Sequence, residues 1–194
     1  MNDTKTVILN EALSLFAAEG YKAVTVEQIA AAVGIKAPSL YKHFPGKRAI
    51  FTAILQRMEQ ADAELAADAS MPDAGYASVP SLDDILSFTK AMFRHWTEDS
   101  FGCCFRRLLT VEQYHDPDMA LLYRQYLSTG PMEYMEEVFT SMGLPKETAL
   151  AFYAPMFYLY SAYDSAVDKS EVFRALDAHL EQFQKSISKT EGTK

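Results

Sequence analysis

The sequence is poor in cysteine and lacks a long hydrophobic run. Its two cysteines, Cys103 and Cys104, are adjacent, and neighbouring cysteines rarely pair because the bond would strain an eight-membered ring. We therefore expect no disulfide framework of the kind that stabilises small secreted domains. The residues after Met1 are polar, so we expect no signal peptide. The longest uncharged stretch, residues 148–163, contains Pro155 and is too short to span a bilayer. The predicted location is cytoplasmic, with no membrane partner.

Positive charge is also scarce, but it is unevenly distributed. The chain has 18 Lys and Arg against 26 Asp and Glu, a net charge of −8. Residues 1–50 carry six basic and four acidic side chains, a net charge of +2, whereas residues 51–194 carry twelve and twenty-two. Such asymmetry can mark a local nucleic-acid-facing patch. The alternative is an uneven surface charge without function.

Motifs for catalysis and cofactor binding are missing. We find no Gly-rich phosphate loop and no Gly-x-Ser-x-Gly nucleophile motif, so we expect no enzyme and no cofactor. Glu112 and His115 form one Glu-x-x-His pair, whereas helical bundles use two such pairs to hold two metal ions. A surface or pocket-lining role is therefore preferred for these two residues, and no metal site is predicted.

Cys103 and Cys104 would be a redox sensor if nearby arginines lowered their pKa, but buried packing is the preferred interpretation.

The remaining sequence predicts an all-α protein. Period-2 alternation and Asn-Gly or Asp-Gly hairpin signals are absent, and apolar residues recur at helical spacing. Proline, glycine and small residues make 69–80 the best loop candidate. We predict about nine helices, over residues 5–19, 25–33, 37–44, 47–68, 81–99, 103–114, 117–142, 145–165 and 170–188.

Residues 25–44 carry the strongest functional signal. Thr25 followed by Gln28 fits a capping box, Gly34 ends the helix that Thr25 begins, and a second short helix follows over 37–44. Two short helices joined by a turn of about four residues are the layout of a helix-turn-helix, whose second helix enters the DNA major groove. Leu40 and Phe44 share one face and are expected to pack inward. Other faces leave Ser39, Lys42 and His43 free for DNA.

Two lysines stand where a helix begins. Lys36 precedes the second short helix and Lys47 opens the next one. A cation at a helix N-terminus opposes the helix dipole and costs a few tenths to about 1 kcal/mol. A bound phosphate would reverse the sign of that effect. We therefore predict that both lysines contact phosphate, with plain surface lysines as the alternative.

With these elements in place, residues 5–51 resemble the DNA-binding domain of the TetR family of transcriptional regulators. The matching residues are Ile8, Ala12, Leu15-Phe16, Gly20-Tyr21, Thr25-Val26, Ile29-Ala30, Val33-Gly34-Ile35, Leu40-Tyr41, Phe44 and Lys47. The resemblance implies that Thr25 caps the second helix and touches a phosphate. It further implies that Tyr41, His43 and Lys47 contact the DNA backbone. Side chains facing the groove would be Lys36, Ala37, Pro38, Ser39 and Lys42.

The sequence departs from the family pattern at the start of the recognition helix. Lys36 stands where the family commonly has Ser, and Pro38 where it often has Gly, so no operator sequence can be carried over. Gly46 replaces a frequent Ser or Asn cap, and glycine is an acceptable cap.

The predicted domains are a three-helix headpiece at 1–46 and a larger ligand-binding and dimerisation domain at 47–190. An apolar seam on the last helix has the 3-4-3-4 spacing of a helix interface, formed by Phe173, Leu176, Leu180, Phe183 and Ile187. An internally packed helix would show the same stripe. The resemblance favours a homodimer in which the last two helices of each chain form a four-helix bundle.

Aromatic residues are dense after residue 88, and most of them are expected to form an ordinary core. A subset could line an apolar small-molecule site with a few polar tips. The residues selected for this pocket are Trp96, Phe105, Tyr114, Tyr123, Tyr126, Tyr153 and Phe157.

The resulting hypothesis is a repressor that binds a pseudo-palindromic operator in double-stranded DNA as a homodimer. An apolar or aromatic small-molecule effector would release the DNA. One alternative is a DNA-binding protein of the same fold without an inducer. The other is a helical-bundle metalloenzyme.

Overall fold

The computed structural model describes residues 3–72 and 79–191, and over these residues it contains helices and no strands. Six of the predicted loop residues, 73–78, lie outside the described part. The described residues form ten helices: α1 (Thr4–Glu19), α2 (Val26–Val33), α3 (Ala37–Tyr41), α4 (Lys47–Asp68), α5 (Leu82–Thr97), α6 (Ser100–Glu112), α7 (Pro117–Leu127), α8 (Thr129–Ser141), α9 (Thr148–Ser165) and α10 (Lys169–Glu191). The all-α fold class is confirmed.

One predicted helix, 117–142, is two helices in the structure. The break falls at Ser128, whose φ of −128° and ψ of −103° are not helical. Pro131 then lies in the first turn of α8, where its missing N–H leaves no helical hydrogen bond unmade. This break accounts for ten helices where about nine were predicted.

The described helices pack into two compact units. The first comprises the described part of Met1–Glu64 together with Glu98–Leu127, and the second comprises the described parts of Leu65–Thr97 and Ser128–Lys194. The predicted boundary between residues 46 and 47 separates a DNA-binding part from a ligand-binding part. The packing of the helices does not test such a functional division, so this boundary stays a prediction.

The first unit is built around α1. This helix packs against α2 and along α6, and α2 packs against α3. The fully buried side chains of the first unit come from α1, α2, α3 and α4 and include Ile8, Phe16, Ile29, Leu40 and Ile54. Burial of such large apolar side chains contributes about 1.5–3 kcal/mol each, so the short helices α2 and α3 are held by packing rather than by their own helical propensity.

The second unit has its core between α5, α8, α9 and α10. The apolar seam of α10 faces this core. Its residues Leu176, Leu180, Phe183 and Ile187 are between 1% and 8% exposed within the single chain. The ring of Phe173 lies half-buried, 5.6 Å from that of Phe93. Burial within the single chain therefore contradicts the predicted dimer interface for Leu176, Leu180, Phe183 and Ile187. For the half-buried Phe173 it stays a prediction.

The α9 helix is continuous through Pro155. The Nε2 atom of His179 in α10 lies 2.9 Å from the Phe152 carbonyl oxygen of α9, which ties the two helices together beside the proline. Among the described residues, no helix has both the length and the apolar character that crossing a bilayer requires.

Candidate functional site

The α2 helix begins with a complete capping box. The Gln28 N–H donates to Thr25 Oγ1 at 3.2 Å, and the Thr25 N–H donates to Gln28 Oε1 at 2.7 Å. The predicted capping pair is confirmed. Gly34 ends the helix with φ +76° and ψ +25°, a left-handed conformation that favours glycine. The Ile35 N–H then donates to the Ala30 carbonyl at 2.9 Å, which turns the chain toward α3.

The α3 helix is shorter than predicted, but the turn continues beyond it. Helix geometry covers Ala37–Tyr41, and the N–H groups of His43 and Phe44 still donate to the Leu40 carbonyl at 2.9 Å and 3.0 Å. Leu40 and Phe44 are buried, as expected. The sequence therefore forms the two short helices and the turn of a helix-turn-helix.

The polar side chains of this segment lie outward. Lys36, Pro38, Tyr41 and Lys42 are exposed, as is Thr25 at the start of α2, and the group Ala37, Ser39 and His43 is half-buried. Among the described residues, no carboxylate pairs with Lys36 or Lys42. Their charges are thus available to an anionic partner. Lys36 occupies the N-cap position of α3 without a capping side-chain bond.

Lys47 does not share this exposure. Its Nζ donates to the carbonyl oxygens of Tyr21 at 2.7 Å, Val24 at 2.7 Å and Lys22 at 3.2 Å. It also lies 4.8 Å from the centroid of the Tyr21 ring. All three ammonium donors are occupied inside the protein, and partial burial lowers the Lys47 pKa. This geometry contradicts a direct phosphate contact and gives Lys47 the structural role of fixing the loop between α1 and α2.

Arg48, which is not among the predicted DNA contacts, is the exposed cation at the start of α4. It is exposed at the second position of α4, immediately after Lys47. The available signal was weak, because two adjacent basic residues at a helix start do not reveal which one faces outward.

The seven residues predicted for a ligand pocket are divided between the two units. Phe105, Tyr114, Tyr123 and Tyr126 belong to the first unit, and Trp96, Tyr153 and Phe157 to the second. Tyr114 is 79% exposed and Phe157 is 41% exposed, and their place in a ligand pocket stays a prediction. Tyr123 is half-buried, Trp96 is buried, and the Tyr153 ring lies 5.6 Å from that of Phe157.

The first unit contains an acidic and aromatic cluster formed by Phe105, Tyr126, Glu59 and Asp62. The Phe105 and Tyr126 rings meet edge to face at 5.2 Å. Burial raises the pKa of Asp62 to about 7. Burial, followed by the charges of Glu59 and Asp62, raises the pKa of the Tyr126 hydroxyl. Two of the seven predicted pocket residues, Phe105 and Tyr126, belong to this cluster, whereas Glu59 and Asp62 were not predicted.

Two clefts lie elsewhere. One, of about 380 Å³, runs between α9 and α10 and is lined by residues that include Tyr158, Ala162 and Ala175. The other, of about 210 Å³, lies between α1 and α6 and is lined by residues that include Asn10, Phe101 and Cys104. None of the seven predicted ligand residues lines either cleft.

Both cysteines are half-buried free thiols. Burial and the neighbouring Cys103 raise the pKa of Cys104. Because the thiolate is the reactive form, these surroundings favour the packing interpretation over a redox sensor. Within residues 3–72 and 79–191, no three His, Cys, Asp or Glu side chains are grouped so that they could hold a metal ion.

Comparison with known proteins places the N-terminal helices in a family. The sequence model of "Bacterial regulatory proteins, tetR family" matches residues 8–54. The chain is 36% identical over 58 residues to the HTH-type transcriptional regulator TcmR of Streptomyces glaucescens, covering 30% of this chain and 26% of TcmR. It is 43% identical over 47 residues to IcaR of Staphylococcus aureus, a negative transcriptional regulator of the biofilm operon icaADBC, covering 24% of this chain and 25% of IcaR. It is also 43% identical over 42 residues to the nucleoid occlusion factor SlmA of Actinobacillus pleuropneumoniae, covering 22% of this chain and 21% of SlmA. The chain thus spans about a quarter of the length of these curated relatives.

Solved structures share the fold over nearly the whole chain. SmeT in complex with triclosan superposes with a TM-score of 0.66 at 19% identity, covering 92% of this chain and 90% of SmeT. NalD, the secondary repressor of the MexAB-OprM multidrug efflux pump in Pseudomonas aeruginosa, superposes with a TM-score of 0.62 at 20% identity. The match covers 94% of this chain and 95% of NalD. At these identities the likeness establishes the fold.

Proposed function

Because residues 8–54 match the model of the tetR family of bacterial regulatory proteins, we propose that this chain is a member of that family and a ligand-responsive repressor that binds a pseudo-palindromic operator as a homodimer. The observation that carries the proposal is the helix-turn-helix itself. Its capping box, its left-handed Gly34 and its two inward apolar side chains fix α2 and α3. The same geometry leaves a short helix with exposed, unpaired lysines among the described residues.

The proposed DNA contacts follow the exposed side of this motif. Lys36, Ala37, Pro38, Ser39 and Lys42 face the major groove, where N-terminal residues of a recognition helix meet base edges. Thr25, Tyr41 and His43 contact the sugar-phosphate backbone, which fixes position without reading sequence. Lys47 does not contact DNA in this proposal. It stabilises the loop before α2 through its hydrogen bonds to three backbone carbonyls.

The proposed dimer surface is the outward face of α9 with the adjoining cleft. Leu150, Phe157 and Tyr158 are exposed and lie on one side of the helix. Residues 148–163 carry no charge, so this face can meet its own copy across a twofold axis without opposing like charges. The α9 helix is 18 residues long, which gives a contact length of about 27 Å. Family resemblance supports the last two helices as the dimer element.

The test of DNA binding starts from a duplex selected out of a randomised pool by the wild-type protein. Replacing both Lys36 and Lys42 by alanine should lower the slope of log affinity against log salt concentration by about 0.9, because Lys36 is the predicted phosphate contact of the pair. The loss of Lys42 from the groove should in addition relax base preference by about 1–3 kcal/mol. The matched control replaces Lys146 and Lys185, two exposed lysines of the second unit. Equal slopes for the two double variants would refute the assigned surface.

The proposed effector is an apolar or aromatic small molecule. Support comes from the cluster of Phe105, Tyr126 and Asp62 and from the shared fold of SmeT, which was solved with triclosan. A ligand releases DNA only if it binds the released conformation more tightly. Triclosan is a suitable first probe, and a coupling of 1–3 kcal/mol would weaken operator binding about 5–150-fold.

The alternative is a regulator of the same fold without an inducer. The absence of the seven predicted pocket residues from the linings of the two clefts described above favours it, as does the match to SlmA, which is named for nucleoid occlusion. A compound that binds the chain tightly but leaves operator affinity unchanged would support this alternative over release by that compound.

A further inference from the structure

The C-terminal end of α6 and the turn after it contact the loop that leads into α2. We call residues 112–116 the α6 end segment. Lys22 Nζ lies 3.0 Å from Asp116 Oδ2 and donates to the His115 carbonyl oxygen at 3.3 Å. The Lys22 ammonium and the backbone N–H of Asp118 lower the pKa of Asp116, so its carboxylate stays charged. The contact therefore joins a full ion pair to a backbone hydrogen bond.

Glu112 makes the second contact of this segment. Its side chain is 7% exposed, and its Oε1 would lie 2.8 Å from a β-carbon built at Gly20. Gly20 ends α1 with φ +88°, a conformation that other residues rarely adopt. The absence of a side chain at Gly20 is thus what allows Glu112 to approach the end of α1.

The other end of α6 is attached to α1 as well. Arg57 of α4 donates to Asn10 Oδ1 of α1 at 2.8 Å. Its guanidinium also lies 3.9 Å from the centroid of the Phe101 ring of α6. Thus α6 is linked to α1 near both of its own ends and packs along it.

Lys47 holds the same loop from the opposite side, through the carbonyls of Tyr21, Lys22 and Val24. The next residue, Thr25, is the N-cap of α2. The loop is therefore held by side chains on both sides up to the residue before Thr25, where the helix-turn-helix begins.

We propose that the α6 end segment positions the helix-turn-helix for DNA: Asp116 and the His115 carbonyl hold Lys22 in the loop of residues 20–24, Glu112 lies against Gly20, and together they set where α2 begins. This inference rests on the proposed function.

Asp116→Asn tests the proposal through the sign of its effect. Loss of a negative charge alone strengthens DNA binding, whereas loss of positioning weakens it. We expect operator binding, measured on the duplex selected by the wild-type protein, to weaken about three- to fivefold, the effect of a good partly exposed ion pair. The salt slope should stay at the wild-type value because no phosphate contact is lost. The exchanged pair, Lys22→Asp with Asp116→Lys, should recover affinity to within about twofold.

The matched control is Asp177→Asn, which removes the same charge from the Lys90–Asp177 pair of the second unit, 2.7 Å long. It should bind DNA at least as tightly as wild type. If Asp116→Asn binds as tightly as this control, the proposal is wrong. A salt slope lowered by about 0.9 in Lys22→Gln would also overturn it, because Lys22 would then be a phosphate contact.

Hydrogen exchange gives a readout that does not need DNA. The amides of residues 21–24 should exchange faster in Asp116→Asn than in Asp177→Asn, and equal exchange would contradict the proposal. A wild-type protein that selects no duplex would instead refute the proposed function, while the exchange result would still decide whether the segment holds the loop.

Discussion

Lys47→Met should destabilise the protein far more than it weakens phosphate contacts. Methionine keeps most of the apolar stem but removes the ammonium, and with it two hydrogen bonds of 2.7 Å and one of 3.2 Å. Hydrogen bonds to a charged group contribute about 1.5–3 kcal/mol each. Water can replace part of this at the exposed Lys22 carbonyl, so the two part-buried bonds dominate. We expect a net loss of about 2–4 kcal/mol.

Thermal unfolding followed by circular dichroism measures this loss. For a chain of this size, 1 kcal/mol corresponds to about 2–4 °C in Tm, so Lys47→Met should melt about 4–16 °C below wild type. The control is Arg48→Met, which removes the exposed cation one residue later and should change stability by no more than about 0.5 kcal/mol.

The two roles available to Lys47 give opposite patterns. A structural lysine lowers Tm and leaves the salt slope of DNA binding unchanged at a temperature where both proteins are folded. A phosphate contact leaves Tm near wild type and lowers that slope by about 0.9. The second pattern would refute the role deduced here from the three carbonyl contacts.

Four further predictions concern packing, assembly and protonation. Leu180→Glu places a charge at a core position that is 2% exposed, so it should unfold or strongly destabilise the chain. Tyr158→Glu changes the outward face of α9 and should give a folded monomer in sedimentation. A folded dimer of this variant would contradict the proposed dimer surface. Gly20→Ala should cost about 1–3 kcal/mol from its φ of +88°, with a further loss because the new β-carbon would lie 2.8 Å from Glu112 Oε1. Pairing it with Glu112→Ala should recover the second loss but not the first in a denaturation cycle. The folded-state pKa of Asp62, about 7 against 3.8 for the free side chain, means that its contribution to stability is present at low pH and is lost as pH rises toward 7. Asp62→Asn should therefore raise Tm at pH 8 by the equivalent of about 2–4 kcal/mol and have no such effect below pH 4; an equal gain at both pH values would contradict the assignment.

The helix-turn-helix could be predicted because its signals are local. Thr25 and Gln28 cap one another across a single turn, and Gly34 supplies a left-handed residue at the end of the same helix. Such information lies within ten residues of chain. The turn at Ser128 was equally readable, since Pro131 suits the first turn of a helix, and the prediction missed it by following the apolar pattern through it.

Contacts between distant residues could not be predicted in this way. Lys47 and Val24 are far apart in the sequence, and nothing near Lys47 distinguishes a phosphate contact from three loop carbonyls. The seam that includes Leu180 illustrates a different difficulty. A heptad stripe records that a helix face is buried, but the same stripe results whether the partner is a second chain or the helix's own core.

The second unit contains a spectroscopic reporter that the first unit lacks. Trp96 is the only tryptophan of the chain, it is buried, and its ring lies 5.6 Å from that of His95. Selective excitation of indole therefore observes one half of the molecule while far-ultraviolet dichroism observes all of its helices. Loosening confined to α1–α3 would reduce dichroism and leave the tryptophan emission unchanged. Non-coincident melting curves from the two probes would thus identify a headpiece that opens before the rest of the protein unfolds.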